Sequence, residues 1–236
     1  MGWLFLPVVA VVFMWRYGCY VGFWGKSIEK PVKPGQIKIA CVGDSITYGM
    51  SIRDRKHHCY PYMLQQLLGE KYNVRNYGLN NRNAMENGAM PYSKEKRFQQ
   101  SLEFQPDIIL LKLGTNDSKK DTWKGRDIWR KDYLKLIEYY RNLDCRPRII
   151  LLTPASPQPI RLKDGTIGTE FGIQAEAILE ECAVIREIGT EMGFPVIDIH
   201  SLTENQTAWF NKDGIHPNAQ GAKEIATYVY NCMLNV

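Results

Sequence analysis

The chain has 236 residues, of which 44% are hydrophobic and 23% are charged, and its formal net charge is +5. This length suits one well-packed domain and is short for two. The basic residues are scattered without a long Lys/Arg run, which argues against nucleic acid as the main partner.

The N-terminal segment is strongly apolar. Residues 3–15 read WLFLPVVAVVFMW, and after Arg16 a second apolar stretch ends at Trp24. The first run has the length of a signal-peptide core, whereas residues 3–24 together approach the length of a membrane span. We assign residues 1–25 to a signal peptide or membrane anchor and residues 26–36 to a linker.

This assignment predicts a protein that is exported or anchored in a membrane through residues 3–24. The lysines of the linker favour anchorage on the cytoplasmic face instead, because positive charge flanks the cytoplasmic end of a span. A buried N-terminal helix is the remaining alternative.

Residues 37–236 alternate short apolar strands with helices. Runs rich in β-branched residues predict strands at 37–42, 72–77, 107–112, 148–153 and 195–199. Helical patterns lie between them, and a last helix is predicted from Pro217 to Leu234. Near-continuous apolar strands that alternate with helices indicate a parallel sheet covered on both faces, which is a three-layer α/β/α sandwich.

The cysteines fit into this pattern as core residues. The six are well separated and form no CxxC pair, which argues against a zinc ribbon or a thioredoxin-type site. Cys41 falls in the first predicted strand and Cys182 in a predicted helix, so we predict buried free thiols rather than disulfides.

Small polar residues follow the predicted strands, at the sheet edge where parallel α/β proteins bind ligands. In chain order they are Asp44, Ser45, Gly78, Asn81, Asn116 and Asp117, and past the fifth strand Asp213 and His216.

Ser45 is a candidate nucleophile if a base lies beside it. Asp213 precedes His216 by three residues, so its carboxylate can accept the Nδ1 proton and direct Nε2 outward. Pro217 fits the first position of a helix, which would hold His216 at the helix entrance. Each signal alone has a plainer explanation, namely an N-cap, a chance DxxH or a simple turn. Their joint occurrence in the order Ser, Asn, Asp, His favours a nucleophile.

An oxyanion that forms during ester hydrolysis needs hydrogen-bond donors. The backbone N–H of Ser45 and the side-chain amide of Asn116 are two candidates, and a backbone N–H in the loop after Gly78 is a third.

Four blocks, GDSITYG, NYGLNNR, GTND and DGIHPN, resemble those of the SGNH hydrolases, also called the GDSL lipase/esterase family. The resemblance implies a flavodoxin-like sheet of five parallel strands in the order 2-1-3-4-5. It also implies Ser45 as nucleophile, His216 as base, Asp213 as the partner that orients the base, and no metal or other cofactor.

The second block departs from the family pattern N-x-G-x-x-G, because Asn81 stands in the place of the last glycine. The resemblance assigns an oxyanion-binding backbone N–H to this position, which makes Ser45, Asn81 and Asn116 the predicted oxyanion hole. Asparagine tolerates left-handed conformations better than most residues, so the donor survives the change. Its side chain would narrow the acyl pocket, which favours a small acyl group. Asp44, Gly78 and Asp117 are predicted to support the site.

The chain also resembles bacterial sugar-ester esterases of this family, including sialate O-acetylesterase-like members. We predict a serine esterase that hydrolyses a small acyl ester, acetyl in the first place, on a carbohydrate or another small molecule. Residues 154–172 form a long proline-rich insertion that is expected to shape the substrate site. Aromatic and histidine residues expected at its mouth are Tyr48, His57, His58, Tyr60, Trp123 and Trp209.

Three alternatives remain. A lysophospholipase or thioesterase would use the same residues but needs a wide apolar acyl channel, which no continuous apolar loop suggests. An O-acyltransferase would pass the acyl group to a sugar hydroxyl. A non-catalytic glycan-binding protein would bind sugar without a reactive serine.

Overall fold

Five parallel strands form the central sheet of the computed structural model, which describes residues 31–234. Numbered in chain order, the strands of the described residues are β1 (Ile37–Gly43), β2 (Tyr72–Gly78), β3 (Ile108–Lys112), β4 (Arg148–Leu152), β5 (Ile160–Arg161), β6 (Ile167–Gly168) and β7 (Val196–Ile197). The sheet has the order β2-β1-β3-β4-β7, with all pairs parallel, and β5 and β6 form a separate antiparallel hairpin. The predicted parallel sheet and its strand order are confirmed.

Helices connect and cover these strands. They are α1 (Ser45–Tyr48), α2 (Arg55–His58), α3 (Tyr60–Leu68), α4 (Lys96–Glu103), α5 (Arg126–Arg141), α6 (Ala175–Met192), α7 (Ile199–Thr203) and α8 (Ala219–Leu234). Short 3-10 turns occupy Tyr92–Lys94, Glu170–Gly172 and Thr207–Trp209.

Alternate residues of each strand face opposite sides of the sheet, and this alternation creates two cores. Ile109 and Leu111 of β3 belong to the core under α4, α5 and α6. Leu110, between them, belongs to the core under α3 and α8. The result is the predicted three-layer α/β/α sandwich.

Two element boundaries differ from the prediction because polar side chains cap helices there. The predicted fifth strand ends early, since the Asp198 side chain caps α7 by accepting a hydrogen bond from the backbone N–H of Ser201. The last helix begins at Ala219, and the Asn218 side chain accepts from the N–H of Gln220 and Gly221. Pro217 therefore precedes the helix and does not occupy its first position.

The predicted signal peptide or anchor, residues 1–25, lies outside the described residues, as does the first part of the linker. Within residues 31–234, no helix combines the length and the apolar character that crossing a bilayer requires. The five cysteines of the same range are free thiols, and Cys41, Cys59 and Cys182 are buried. Burial of Cys41 and Cys182 agrees with the prediction.

Candidate active site

Ser45 is the first residue of α1 and follows β1 after a single residue, Asp44. The Asp44 carboxylate accepts a hydrogen bond of 2.9 Å from the backbone N–H of Ile46, so it is the N-cap of this short helix. The cap and the candidate nucleophile are therefore neighbouring but different residues. Because Asp44 caps the turn, the hydroxyl of Ser45 is available for other partners.

Two glycines let α1 sit directly on the sheet edge. A Cβ on Gly43 would lie 2.6 Å from the carbonyl oxygen of Lys112, and a Cβ on Gly78 would lie 2.2 Å from the backbone nitrogen of Tyr48. Both contacts are too short for a side chain, so these positions require glycine. The predicted supporting role of Gly78 thus has a steric basis, which is the close approach of α1 to β2.

His216 lies between Ser45 and Asp213. Its Nε2 is 2.9 Å from Ser45 Oγ, and its Nδ1 is 2.8 Å from Asp213 Oδ2. The other carboxylate oxygen accepts the backbone N–H groups of His216 and Ile215, both at 2.9 Å. Burial alone would raise the pKa of Asp213, but the hydrogen bonds from His216 outweigh it, and the pKa is lowered. The carboxylate is therefore charged and fixed behind the imidazole.

The loop after β2 carries Asn81, whose φ is +61°, in the left-handed region that asparagine tolerates. Asn116 and Asp117, in the loop after β3, hydrogen-bond to this loop. The Asn116 side-chain amide donates to the carbonyl of Arg82 at 3.2 Å, and Asp117 accepts the backbone N–H groups of Ala84 and Met85 at 2.9 and 2.8 Å. The predicted second and third blocks therefore form one connected structure.

One open cavity brings the predicted residues together. Ser45, Asn81, Asn116 and His216 all line it, and its volume is about 890 Å³ including the open mouth. Of the remaining predicted residues, Asp44 and Gly78 lie against α1, Asp117 bonds the loop of Asn81, and Asp213 bonds His216. Their catalytic roles stay predictions, but their arrangement around one cavity matches the predicted one.

Lys112 was not singled out in the sequence, although it is one of the best connected residues of the site. Its Nζ lies 3.0 Å from Asp44 Oδ2, 3.2 Å from Asp44 Oδ1 and 3.0 Å from Thr115 Oγ1. Lys112 and Asp44 are both buried. The pair joins the nucleophile turn to the loop of Asn116. A lysine at the end of an apolar strand was the available signal, because a buried lysine requires a partner.

A second buried acid lies behind the loop of Asn116. Neither oxygen of the Glu181 carboxyl has a hydrogen-bond partner among the described residues. Burial raises the pKa of Glu181 well above its ordinary value, and the nearby Asp117 adds to the increase. Burial also raises the pKa of Asp117 to about 7, although two backbone N–H groups act against it. Burial and the neighbouring Asp117 thus both favour the neutral form of the Glu181 carboxyl.

The insertion after β4 borders the cavity, as predicted, but not through the aromatic residues that were expected there. Phe171 lies at its end, and the phenyl ring meets the His216 ring edge to face, with 5.9 Å between the centroids. None of the six expected side chains lines the cavity: Tyr48, His57, His58, Tyr60, Trp123 and Trp209. Tyr48 and Tyr60 are buried instead: Tyr60 belongs to the core under α3 and α8, and the guanidinium of Arg55 lies 3.7 Å from the centre of the Tyr48 ring.

Residues 31–234 contain no group of three or more His, Cys, Asp or Glu side chains placed to hold a metal ion.

The chain matches the model of the GDSL-like lipase/acylhydrolase family over residues 41–224. It therefore belongs to this family, as the four sequence blocks predicted. The family is one of acylhydrolases, which agrees with the class of enzyme predicted from the sequence.

Two relatives describe what similar sequences do. An acetylxylan esterase from Xylanibacter ruminicola is 33% identical over 227 residues, which cover 89% of this chain and 45% of that protein. A multidomain esterase from Ruminococcus flavefaciens is 27% identical over 227 residues, which cover 82% of this chain and 28% of that protein. The chain thus spans less than half the length of either relative.

Solved structures confirm the fold. A carbohydrate acetylesterase from Sinorhizobium meliloti superposes with a TM-score of 0.70 at 17% identity and covers 85% of this chain and 99% of its own. An aryl esterase from M. smegmatis gives a TM-score of 0.69 at 18% identity, with the same coverage of both chains.

Proposed function

We propose that this protein is a serine esterase that removes a small acyl group, acetyl in the first place, from a carbohydrate. The observation that carries the proposal is the row of Ser45, His216 and Asp213, joined by contacts of 2.9 and 2.8 Å at the edge of an open cavity. The substrate class is supported by the relative described as an acetylxylan esterase.

The reaction begins with a proton transfer. His216 takes the proton of Ser45 through Nε2 while the Ser45 oxygen attacks the ester carbonyl carbon. Asp213 accepts the Nδ1–H and stabilises the imidazolium that forms. This orientation needs no rearrangement, because Asp213 is already held by two backbone N–H groups.

The negative charge that develops on the carbonyl oxygen is stabilised by three N–H donors. These are the backbone N–H groups of Ser45 and Asn81 and the side-chain amide of Asn116. An amide carries two N–H donors, and one of those on Asn116 bonds the carbonyl of Arg82. The second is left for the substrate, and the first fixes its direction.

Collapse of the tetrahedral intermediate breaks the ester bond. His216 gives its proton to the leaving sugar hydroxyl, and the acyl group stays on Ser45. Water then enters the open cavity, loses a proton to His216 and attacks the acyl-enzyme, which releases the acid and restores Ser45.

Substitution of the nucleophile tests the proposal. Ser45→Ala is expected to abolish release of p-nitrophenol from p-nitrophenyl acetate and labelling by a fluorophosphonate. Ser201→Ala, which changes an exposed serine on α7, is the matched control and is expected to retain both. Equal melting temperatures would exclude unfolding as the cause. Turnover that survives in a folded Ser45→Ala protein would refute the proposed nucleophile.

A substrate panel separates the proposed reaction from its alternatives. Acetylated xylo-oligosaccharides, acyl-CoAs and lysophospholipids are incubated with the protein, and free acid is measured for each. We expect acetate from the oligosaccharides. Acetylated acceptor sugar with little free acetate would support an O-acyltransferase, and fatty acid release would support a lysophospholipase or thioesterase. Sugar binding without labelling of Ser45 would support a glycan-binding protein.

A further inference from the structure

The end of the insertion and the loop after β3 join at one side of the cavity. The backbone N–H of Lys120 donates to the carbonyl of Gly172 at 2.8 Å, and the N–H of Gln174 donates to the carbonyl of Ser118 at 3.1 Å. Residues 118–120 and 171–174 are called the cavity wall below. This pairing places Lys119 and Phe171 on the same wall, and both side chains line the cavity.

Lys119 brings a positive charge to the cavity wall. Among the described residues no carboxylate lies within 4.0 Å of its Nζ, and its contact with Asn81 Oδ1 is 3.4 Å long. Burial lowers the pKa of Lys119, while the nearby Asp44 and Asp117 partly oppose the decrease. Both acids are already bound elsewhere, Asp44 by Lys112 and Asp117 by two backbone N–H groups.

The charges around the cavity favour an anionic ligand. Among the described residues that line it, none is Asp or Glu. Arg82, the other cation of the lining, is paired with Glu95 at 2.8 Å. A partly desolvated ammonium without a carboxylate gains more from a bound anion than an exposed lysine does. Lys119 is therefore the group on which an anionic part of the substrate would be expected to bind.

Phe171 adds an apolar surface beside the same wall. The residue is 54% exposed, and its φ of +59° lies in a region that a phenylalanine adopts only at a cost. The ring touches His216, which protonates the leaving alcohol in the proposed reaction. An exposed ring at this place offers a surface for the apolar face of a sugar.

We propose that Lys119 and Phe171 form a subsite for a sugar that bears a carboxylate, so that the enzyme prefers acetyl esters on uronic acids to acetyl esters on neutral sugars. The ring packs on the sugar, and the ammonium pairs with its carboxylate. This inference rests on the proposed function and names its substrate class. A lone ammonium suits a carboxylate better than a phosphate, which usually gathers several donors.

A matched pair of substrates tests the subsite. Methyl glucuronoside and methyl glucoside, acetylated at the same hydroxyl, differ only by the carboxylate at C6. We expect wild-type kcat/KM to be about tenfold higher for the uronate at low ionic strength, since hydrogen bonds to charged groups have about this effect. High ionic strength is expected to reduce the ratio.

Substitutions on the cavity wall assign the preference to residues. Lys119→Met is expected to bring the ratio of the two kcat/KM values close to one, and Lys119→Arg to restore most of it. Lys124→Met changes an exposed lysine outside the cavity wall that does not line the cavity, and it is expected to keep the ratio. Phe171→Ala is expected to raise KM for both sugar esters more than for ethyl acetate, and Phe171→Trp to reverse the increase.

Three results would overturn the inference. The first is equal kcat/KM values for the two sugars in the wild type. The second is a decrease of kcat/KM in Lys119→Met that is the same for both sugars and for ethyl acetate. The third is a preference for lysophospholipids that depends on Lys119. The second result would mean that Lys119 does not bind the sugar but positions Asn81, whose side-chain oxygen it contacts. Failure of the proposed function would look different, because wild-type protein would then not hydrolyse ethyl acetate or p-nitrophenyl acetate.

Discussion

The two sides of the cavity are built in opposite ways. The residues called the cavity floor are Ser45 and Asn116, which line the cavity, and Asp44, Lys112 and Asp117 behind them. Each is at most 5% exposed and held by hydrogen bonds. On the cavity wall, by contrast, Phe171 is 54% exposed and Lys119 has no carboxylate beside it among the described residues.

This difference separates the two tasks of an esterase. Hydrolysis of any ester needs donors and a nucleophile fixed in place, and a buried, fully bonded network keeps them there. Recognition of a particular alcohol needs groups that still have bonding capacity, and these lie on an exposed insertion. Substitutions in the floor should therefore affect all esters and the fold, whereas substitutions in the wall should affect the choice of substrate.

The largest effect is expected from Lys112→Met, which removes the cation of the floor. Asp44 would keep the backbone N–H of Ile46 but lose its cation, because its carboxylate is 3.0 Å from Lys112 Nζ and 0% exposed. Loss of one member of a buried pair costs about 3–5 kcal/mol of stability. Urea unfolding measures this loss, and activity on p-nitrophenyl acetate should fall because the turn before Ser45 shifts.

A double variant is the control for this prediction. Asp44→Asn with Lys112→Met removes both charges and keeps an oxygen that can cap α1. It should recover part of the lost stability, since replacing both partners of a buried pair is far less costly than replacing one. If Lys112→Met alone lies within about 1 kcal/mol of the wild type, the ion pair does not hold the floor together.

Asn116→Ala should give the next largest effect, which is a decrease in the reaction rate and not in stability. Removal of one oxyanion donor lowers kcat by about 10²–10³. Because the Asn116 side chain makes a single hydrogen bond among the described residues, to the carbonyl of Arg82, the melting temperature should change little. Asn116→Asp has the same size but places an oxygen where the donor stood, so it should be no faster than Asn116→Ala. A decrease in kcat of less than tenfold would remove Asn116 from the oxyanion hole.

Glu181→Gln should alter how stability depends on pH. The pKa of Glu181 is raised in the folded protein, so its contribution is complete below the unfolded value near 4.5 and is lost as the pH rises through the folded value. Glutamine does not titrate, so the variant should gain stability relative to the wild type as the pH rises above the unfolded pKa near 4.5. The pKa of Asp117 is raised as well, but Asp117 is present in both proteins. Its contribution to the pH dependence of stability therefore cancels in the comparison. Parallel pH curves of the melting temperature would show that Glu181 is not neutral.

The sheet and the candidate nucleophile could be predicted because their signals are local. Most strands of the sheet are apolar runs, with β2 the exception, Ser45 and Asn116 stand in short motifs after strands, and His216 stands in the short motif DGIHPN. Asn81 could be placed despite its departure from the pattern, because only its backbone conformation matters there, and its φ is +61°.

The missed residues depend on contacts between distant segments. Lys112 meets Asp44 across 68 positions of sequence, and Glu181 lies on an apolar helix face behind a loop that precedes it by more than 60 positions. Phe171 lies in an insertion without hydrophobic periodicity, so no pattern indicated which of its side chains would face the cavity. The expected Pro217 start of the last helix was wrong because Asn218 is the better cap.

The smallest effect is expected from Asp164→Ala, in the turn of the hairpin that belongs to the insertion. Its side chain accepts hydrogen bonds from Thr166 N and Oγ1 at 3.0 and 2.7 Å, but the residue is exposed and the hairpin has only two residues on each strand. The melting temperature and the rate on ethyl acetate should therefore stay close to the wild type, while hydrogen exchange should speed up in residues 160–168. A loss of stability as large as that of Lys112→Met would mean that the insertion is part of the core and not a separate surface on which substrate choice can change.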